Sequence, residues 1–344
     1  MKAWIIERIT QIEADSAPLK MIELPVPQPG ADQILIKVET CGVCHTEIDE
    51  IEGRAAPPQL PMVPGHQIVG QVVEKGKLAK KFQIGDRVGV AWIYAACGRC
   101  TFCLRGEENL CEQFKATGRD APGGYAEYMV VNENFAYSIP ENMDAYQAAP
   151  LLCAGAIGYR SLRLTKLKNG MRLGLTGFGA SAHLVLMMIR TMFPESEVYV
   201  FSRSPGEREF AQKLGAVWAG AIEDASPKAL DAIIDTTPAW KPVLEALRNL
   251  APGGRLVVNA IRKEDFDRHL LTELDYPSQL WMEKEIKSVA NVTRKDVEEC
   301  LQLIAQKDIR PEVQIYPFDQ ANQAILDLKN RKIKGAKVLA VASE

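Results

Sequence analysis

The chain changes its pattern once, near residue 150, and that change constrains the fold more than any other feature. From "LLCAG" at 151–155 onward, β-rich and helical runs alternate: "RLGLTG", "ASAHLVLMMIRTM", "EVYVFSRS", "GEREFAQKLGA", "LDAIIDTT", "PVLEALRNLAPGG", "RLVVNAI" and "IKSVANV". Such alternation predicts a parallel sheet covered on both faces by helices. Before it, short β-rich runs such as "QILIKVET", "QIVGQVVE" and "DRVGVAWI" are broken by Pro and Gly, the pattern of an irregular all-β body. From about Thr293 the tail holds one amphipathic helix, "KDVEECLQLIAQK", and further short strands. A length of 344 residues suits two domains at roughly 150 residues each.

With 47% hydrophobic and 25% charged residues, a net charge of −3 and no long charge run, nothing favours nucleic acid or an anionic membrane, and small uncharged partners fit best. The start "MKAWIIERIT" lacks the apolar run and cleavage site of a secretory signal, and no apolar stretch is long enough to span a bilayer. A cytoplasmic protein is expected. In a reducing compartment its eight cysteines read as metal chemistry before disulfides.

Residues 97–111, "CGRCTFCLRGEENLC", place Cys97, Cys100, Cys103 and Cys111 with gaps of two, two and seven residues. Four thiolates in one compact loop supply a closed tetrahedral shell for zinc, which leaves no position for substrate, so the expected role is structural. A bacterial iron–sulfur run would have a shorter last gap followed by proline, whereas Glu112 follows here.

A catalytic zinc takes three protein ligands and keeps a fourth position open. Outside the loop the candidates are Cys41, Cys44, Cys153 and Cys300 with His45, His66, His183 and His269. In "VPGHQIVG", His66 follows a Pro-Gly turn at the head of a β-run, and reads equally as a ligand or as a turn histidine bonded to a carbonyl.

On these residues the chain resembles, over nearly its whole length, the zinc-dependent medium-chain alcohol dehydrogenases, in particular a cinnamyl-alcohol-like bacterial branch. The family's "GVCHTD", "PGHE" and "LCAG" are similar to "GVCHTE" at 42–47, "PGHQ" at 64–67 and "LCAG" at 152–155, and the four-cysteine spacing agrees. The resemblance implies Cys44, His66 and Cys153 as catalytic zinc ligands, which leaves Cys41 as a small buried hydrophobe. It further implies that Thr46 accepts the substrate proton, that His45 contacts coenzyme phosphate, and that Trp92 walls the substrate pocket, a position that reads nearly as well as a plain core Trp; Ile51 suggests a second apolar wall. Three positions depart from the family: Glu47 replaces the Asp that orients the ligand histidine, Gln67 replaces a Glu after it, and Asp49 stands where many members end the proton relay with histidine. Loss of the charge at Gln67 leaves zinc a slightly stronger Lewis acid.

"LGLTGFGASAHL" follows one of the expected strands and opens a helix, giving Gly177, Gly179 and Ala182 a G-x-G-x-x-A spacing with Ala180 at the helix start. The first glycine makes a tight turn, the second admits a pyrophosphate, and the small third residue lets the helix pack closely. His183 reads as a satisfied helix histidine. NAD-binding folds end the next strand in a carboxylate. Here "VYVF" ends in Ser202, Arg203 and Ser204, hydroxyls and a guanidinium that suit a 2′-phosphate and predict NADP(H). Asn259, Ala260 and Ile261 resemble the family segment that meets the nicotinamide carboxamide. Ala336 stands where some relatives carry a phosphate-binding arginine, a role Lys337 does not simply inherit.

The expected molecule is an α/β protein with a GroES-like β-rich catalytic domain (1–154 with 293–344) and a Rossmann domain (155–292). It is expected to interconvert a primary alcohol and an aldehyde with NADP(H), using two zinc ions per chain, as a homo-oligomer, dimer or tetramer. A polyol or secondary-alcohol dehydrogenase is the rival enzyme. A non-catalytic NADP-binding redox sensor, acting through exposed thiols such as Cys41 or Cys300, is the rival of another class.

Overall fold

The computed structural model describes residues 1–13, 16–330 and 335–342. The chain divides into two units, residues 1–156 with 292–344 and residues 157–291.

The first unit is the GroES-like body. Its seven-stranded sheet runs Val313–Pro317, Ala336–Ala340, Gln33–Val43, Ile68–Lys75, Arg87–Val90 and Ala136–Ser138, with Tyr128–Asn132 also pairing with Gln33–Val43. All pairs are antiparallel except the first, which is parallel. Gln33–Val43 is paired by three strands, and register shifts after Leu35 and Val38 bend it against Ile68–Lys75. Ile34, Ile36, Val38, Ile68, Val72 and Val131 fill the core beside it. Two helices close this body, His45–Ile51 directly after the long strand and Ala321–Lys329 near the C-terminus. Neither was expected from the sequence. The amphipathic helix of the tail spans Arg294–Gln306, started by a capping box between Thr293 and Asp296.

The second unit is a Rossmann domain. Its six strands lie in the order Trp218–Gly220, Glu197–Phe201, Arg172–Thr176, Leu230–Asp235, Leu250–Val258, Glu285–Ser288, and every pair is parallel. Numbered along the chain this is 3-2-1-4-5-6, the doubly wound order, whose direction reverses between Arg172–Thr176 and Leu230–Asp235. Ligands of such sheets bind beyond the carboxyl ends of the strands at that reversal. "GFGASA" follows Arg172–Thr176 directly and leads into the helix Ala180–Met192.

Candidate metal and coenzyme sites

Cys44 follows the long strand directly and caps the helix that comes next. Thr46 N donates to its sulfur at 3.4 Å, and Cys44 N donates to Glu47 Oε2 at 2.7 Å, so "CHTE" forms a capping box with a thiol in the place of a hydroxyl. The other oxygen of Glu47 lies 2.6 Å from His66 Nδ1, and both side chains are fully buried. The additional methylene of Glu47 thus serves a reach in two directions, to the cap and to the imidazole.

His66 is delivered by a turn that only glycine allows. Gly65 has φ +97°, and a Cβ there would lie 2.3 Å from the Tyr125 ring and 2.8 Å from Cys41 Sγ. Gly42 makes room for Gln67, whose Oε1 would lie 2.6 Å from a Cβ at that position. Cys153 follows the short 3-10 turn Ala149–Leu152.

These three segments bring Cys44, His66 and Cys153 together. The two sulfurs are 4.0 Å apart, and His66 Nε2 lies 3.5 Å from Cys44 Sγ and 3.3 Å from Cys153 Sγ. Tetrahedral zinc would set about 3.8 Å between sulfurs and about 3.6 Å between sulfur and nitrogen, so the residues fit the ion. Hydrogen bonding to Cys153, then burial, raises the Cys44 pKa well above its ordinary value. Burial opposes a charged His66, but the Glu47 carboxylate and the Cys44 sulfur together outweigh it and raise that pKa too. A bound divalent cation inverts this balance and expels the protons.

Around the trio, Thr46 Oγ1 lies 3.3 Å from Cys44 Sγ, and the Trp92 ring stands 6.4 Å from the His66 ring, edge-on at 63°. Ile51, expected to wall a pocket, is instead 0% exposed: Ile48 and Ile51, three residues apart on the helix, both face the core. Asp49 is held by Arg54 Nε at 2.6 Å and lies 3.9 Å from His45 Nε2. His45 itself is exposed. Sequence reasoning missed Glu50, which is fully buried with neither carboxyl oxygen hydrogen-bonded. Burial, then the Glu47 carboxylate, pushes its pKa well up. Cys41 and Cys300 are both 0% exposed, and burial raises both thiol pKa values, so neither is the exposed thiol that the sensor alternative needs.

The sulfurs of Cys97, Cys100, Cys103 and Cys111 lie within 4.8 Å of one another. Backbone N–H groups of Cys100 and Gln113 donate to Cys97 and Cys111 at 3.3 Å. N–H groups of Arg99 and Cys100 hold the Cys97 pKa down to about 6. A loop that presents its amides to sulfur is built for thiolates, and the set fits a closed zinc shell.

In the Rossmann unit, Gly177 has φ +78° and a Cβ there would lie 2.9 Å from Thr236 Oγ1, whereas a Cβ at Gly179 would meet nothing within 4 Å. The helix Ala180–Met192 begins without a side-chain cap, and a helix N-terminus is a favourable place for a phosphate. His183 Nδ1 lies 3.2 Å from Gly179 O. Ala260 is half-buried and Ile261 exposed after the strand Leu250–Val258. Ser202 is buried and Arg203 exposed. Lys337 is committed elsewhere, donating to Gln314 Oε1 at 2.8 Å and Tyr316 OH at 2.9 Å in the β-body. A buried ion pair unforeseen from sequence, Lys263 with Asp235, ties down the loop after Leu230–Asp235, with Lys263 also donating to Thr237 O at 2.7 Å and Ala239 O at 3.0 Å.

Residues 30–141 match the family model described as alcohol dehydrogenase GroES-like domain, and residues 214–339 the one described as zinc-binding dehydrogenase. The chain is 39% identical over 346 residues to a probable alcohol dehydrogenase AdhA of Mycobacterium tuberculosis, covering 99% of this chain and 97% of that one. Among solved structures it is similar to a cinnamyl alcohol dehydrogenase of Sorghum bicolor, with a TM-score of 0.85 at 27% identity over 100% of this chain and 98% of that one. The CAD of Helicobacter pylori complexed with NADP(H) gives a TM-score of 0.85 at 25% identity, over 99% and 97% of the two chains.

Proposed function

Because this chain belongs to the zinc-dependent medium-chain alcohol dehydrogenase family, we propose that it reversibly oxidises a primary aliphatic or aromatic alcohol to an aldehyde, with NADP(H) preferred over NAD(H). The observation that carries this reading is the trio Cys44, His66 and Cys153, with spacings that suit zinc and the Thr46 hydroxyl beside it. Zinc bound there would supply a Lewis acid, and a bound nicotinamide coenzyme would supply the hydride chemistry.

The chain's own residues do the rest. Cys44, His66 and Cys153 would hold the catalytic ion, and the four-cysteine loop a second, structural one. Glu47 fixes the His66 ring and keeps Nε2 toward the metal. Thr46 takes the substrate hydroxyl proton. Asp49, paired with Arg54 and 3.9 Å from His45, stands at the end of the relay, and the exposed His45 meets coenzyme phosphate. Trp92 gives the substrate an apolar wall and favours aromatic or aliphatic alcohols over polyols. Gly177, Gly179 and Ala180 cradle the pyrophosphate, Ser202 and Arg203 meet the 2′-phosphate, and Ala260 and Ile261 meet the carboxamide. The NADP(H) held by the Helicobacter pylori relative supports that coenzyme.

Two further assignments follow the same reading. The edge strand Glu285–Ser288, with Ile286 in it, is exposed throughout, and Trp281 and Met282 are exposed just before it, which supports a homo-oligomer formed there. No helix among the described residues is long and apolar enough to cross a membrane, and the thiol-rich ligand sets suit the reducing cytoplasm. Turnover of benzyl alcohol, propan-2-ol and sorbitol, with benzaldehyde reduction by NADPH and by NADH, tests the reading. Benzyl alcohol should be the best of the three. Absence of turnover on all of them with zinc bound would sink it.

A further inference from the structure

At the end of the strand Glu197–Phe201, the Ser202 hydroxyl donates to the carboxylate of Glu207, five positions along the chain and in the first turn of the helix Pro205–Leu214. Glu207 stands at the third helical position after the cap Ser204, where a capping box would turn its carboxylate back to the Ser204 N–H. It does not do so. Ser204 N donates to Ser202 Oγ at 3.2 Å, and Glu207 N donates to Ser204 Oγ at 3.3 Å. A closed ring of hydrogen bonds thereby carries the Glu207 charge to the strand end. Arg208 does not take part in it: its Nη1 donates to the carbonyls of Ser202, at 2.7 Å, and Arg203, at 3.4 Å.

In a doubly wound fold, the end of this strand meets the 2′ position of the coenzyme's adenine ribose. No carboxylate stands at the C-terminal end of the strand, where Phe201 is followed by Ser202 and Arg203, yet Glu207 restores one from the helix. We propose that Glu207 is a coenzyme-specificity residue: its carboxylate, held on the Ser202 hydroxyl, opposes the 2′-phosphate and offers an acceptor to a 2′-hydroxyl, against the pull of Arg203. This rests on the proposed reading that Ser202 and Arg203 receive the 2′ group. A phosphate entering there must displace Glu207 from Ser202 and stand near its charge, and like charges at short range discriminate strongly. The preference for NADP(H) is therefore weaker than Arg203 alone would give, and NAD(H) is accepted as well.

The test is fluorescence titration of the zinc-loaded protein with NADPH and with NADH, without substrate, for wild type, Glu207→Gln, Glu207→Ala and Arg203→Ala. Thermal melts establish that each variant is folded. Neutralising Glu207 should raise the ratio of the NADH to the NADPH dissociation constant about tenfold, by tighter NADPH and weaker NADH binding. Competition by 2′,5′-ADP against 5′-AMP should shift in the same direction. A ratio within twofold of wild type in both Glu207 variants overturns the inference. The underlying coenzyme reading fails separately, if wild type binds NADPH no more tightly than NADH and Arg203→Ala changes neither. A wild type that favours NADH, with a ratio that still rises in Glu207→Gln, upholds the inference and removes the NADP(H) preference.

Discussion

His66 Nδ1 and Glu47 Oε1 lie 2.6 Å apart with both side chains fully buried. The contact fixes which ring nitrogen faces Cys44 and Cys153. Partners of this kind typically change metal affinity by about 10- to 100-fold when removed. Glu47→Gln should weaken zinc at the three-ligand site by that factor and leave the four-cysteine loop loaded. Metal per chain, followed through a chelator titration, should fall in two separated steps, the first earlier than in wild type.

Cys44→Ser should lose one of two zinc ions together with all but a trace of benzaldehyde reduction, whereas Cys41→Ala should keep both. Cys41 completes a C-x-x-C in the sequence but lies buried against Gly65 and Gly124. Elemental analysis beside activity separates the two cysteines. Loss of a metal in Cys41→Ala would contradict the ligand assignment.

Gly65→Ala combines two faults, a left-handed backbone at φ +97° and a Cβ driven into the Tyr125 ring. Strain of this kind costs about 1–3 kcal/mol or more. The variant should melt earlier and should lose the catalytic metal first, because the displaced turn carries His66. Calorimetry with and without added zinc measures both.

Glu52 ties the helix His45–Ile51 to the helix Ala321–Lys329: Lys329 Nζ donates to its two oxygens at 2.7 and 2.8 Å, Arg54 pairs with it, and Ile12 N donates at 3.1 Å. Burial works against its charge, but these donors win and hold its pKa below the ordinary 4.5. A depressed carboxylate stabilises the fold above its unfolded value, and that contribution is lost as pH falls through the folded value. Lys329→Met should therefore cost about 1 kcal/mol at pH 7, with the gap to wild type closing below pH 4.5. Denaturant melts from pH 3 to 7 test the sign.

The alternation after residue 150 made the Rossmann strands legible, because parallel strands buried on both faces read as plain apolar runs. The two cysteine sets were legible by spacing and by family likeness respectively. The helix His45–Ile51 was not. It spans seven residues, too few to show a period, and it places Thr46, Glu47, Asp49 and Glu50 on buried surface, so its polar text looks like a loop. Ile51 was misjudged for the same reason, since its helical face appears only once the capping box is seen. Glu207 was out of reach because its role depends on a hydrogen bond diverted from the cap, and spacing alone would have predicted the ordinary box.

The strand Ala336–Ala340 lies against Gln33–Val43, with Val338 opposite Gly42 and Lys337 opposite Val43, one residue before Cys44. During synthesis the Rossmann segment 157–291 has all its strands before that partner has been made. Domains tend to fold as they emerge from the ribosome. The coenzyme half can therefore mature while the zinc-ligand strand still waits for a neighbour nearly three hundred residues downstream, on the order of 15–60 seconds at ordinary translation speeds. Until Ala336–Ala340 is made, the nascent chain can complete its parallel sheet but not the sheet that holds Gln33–Val43.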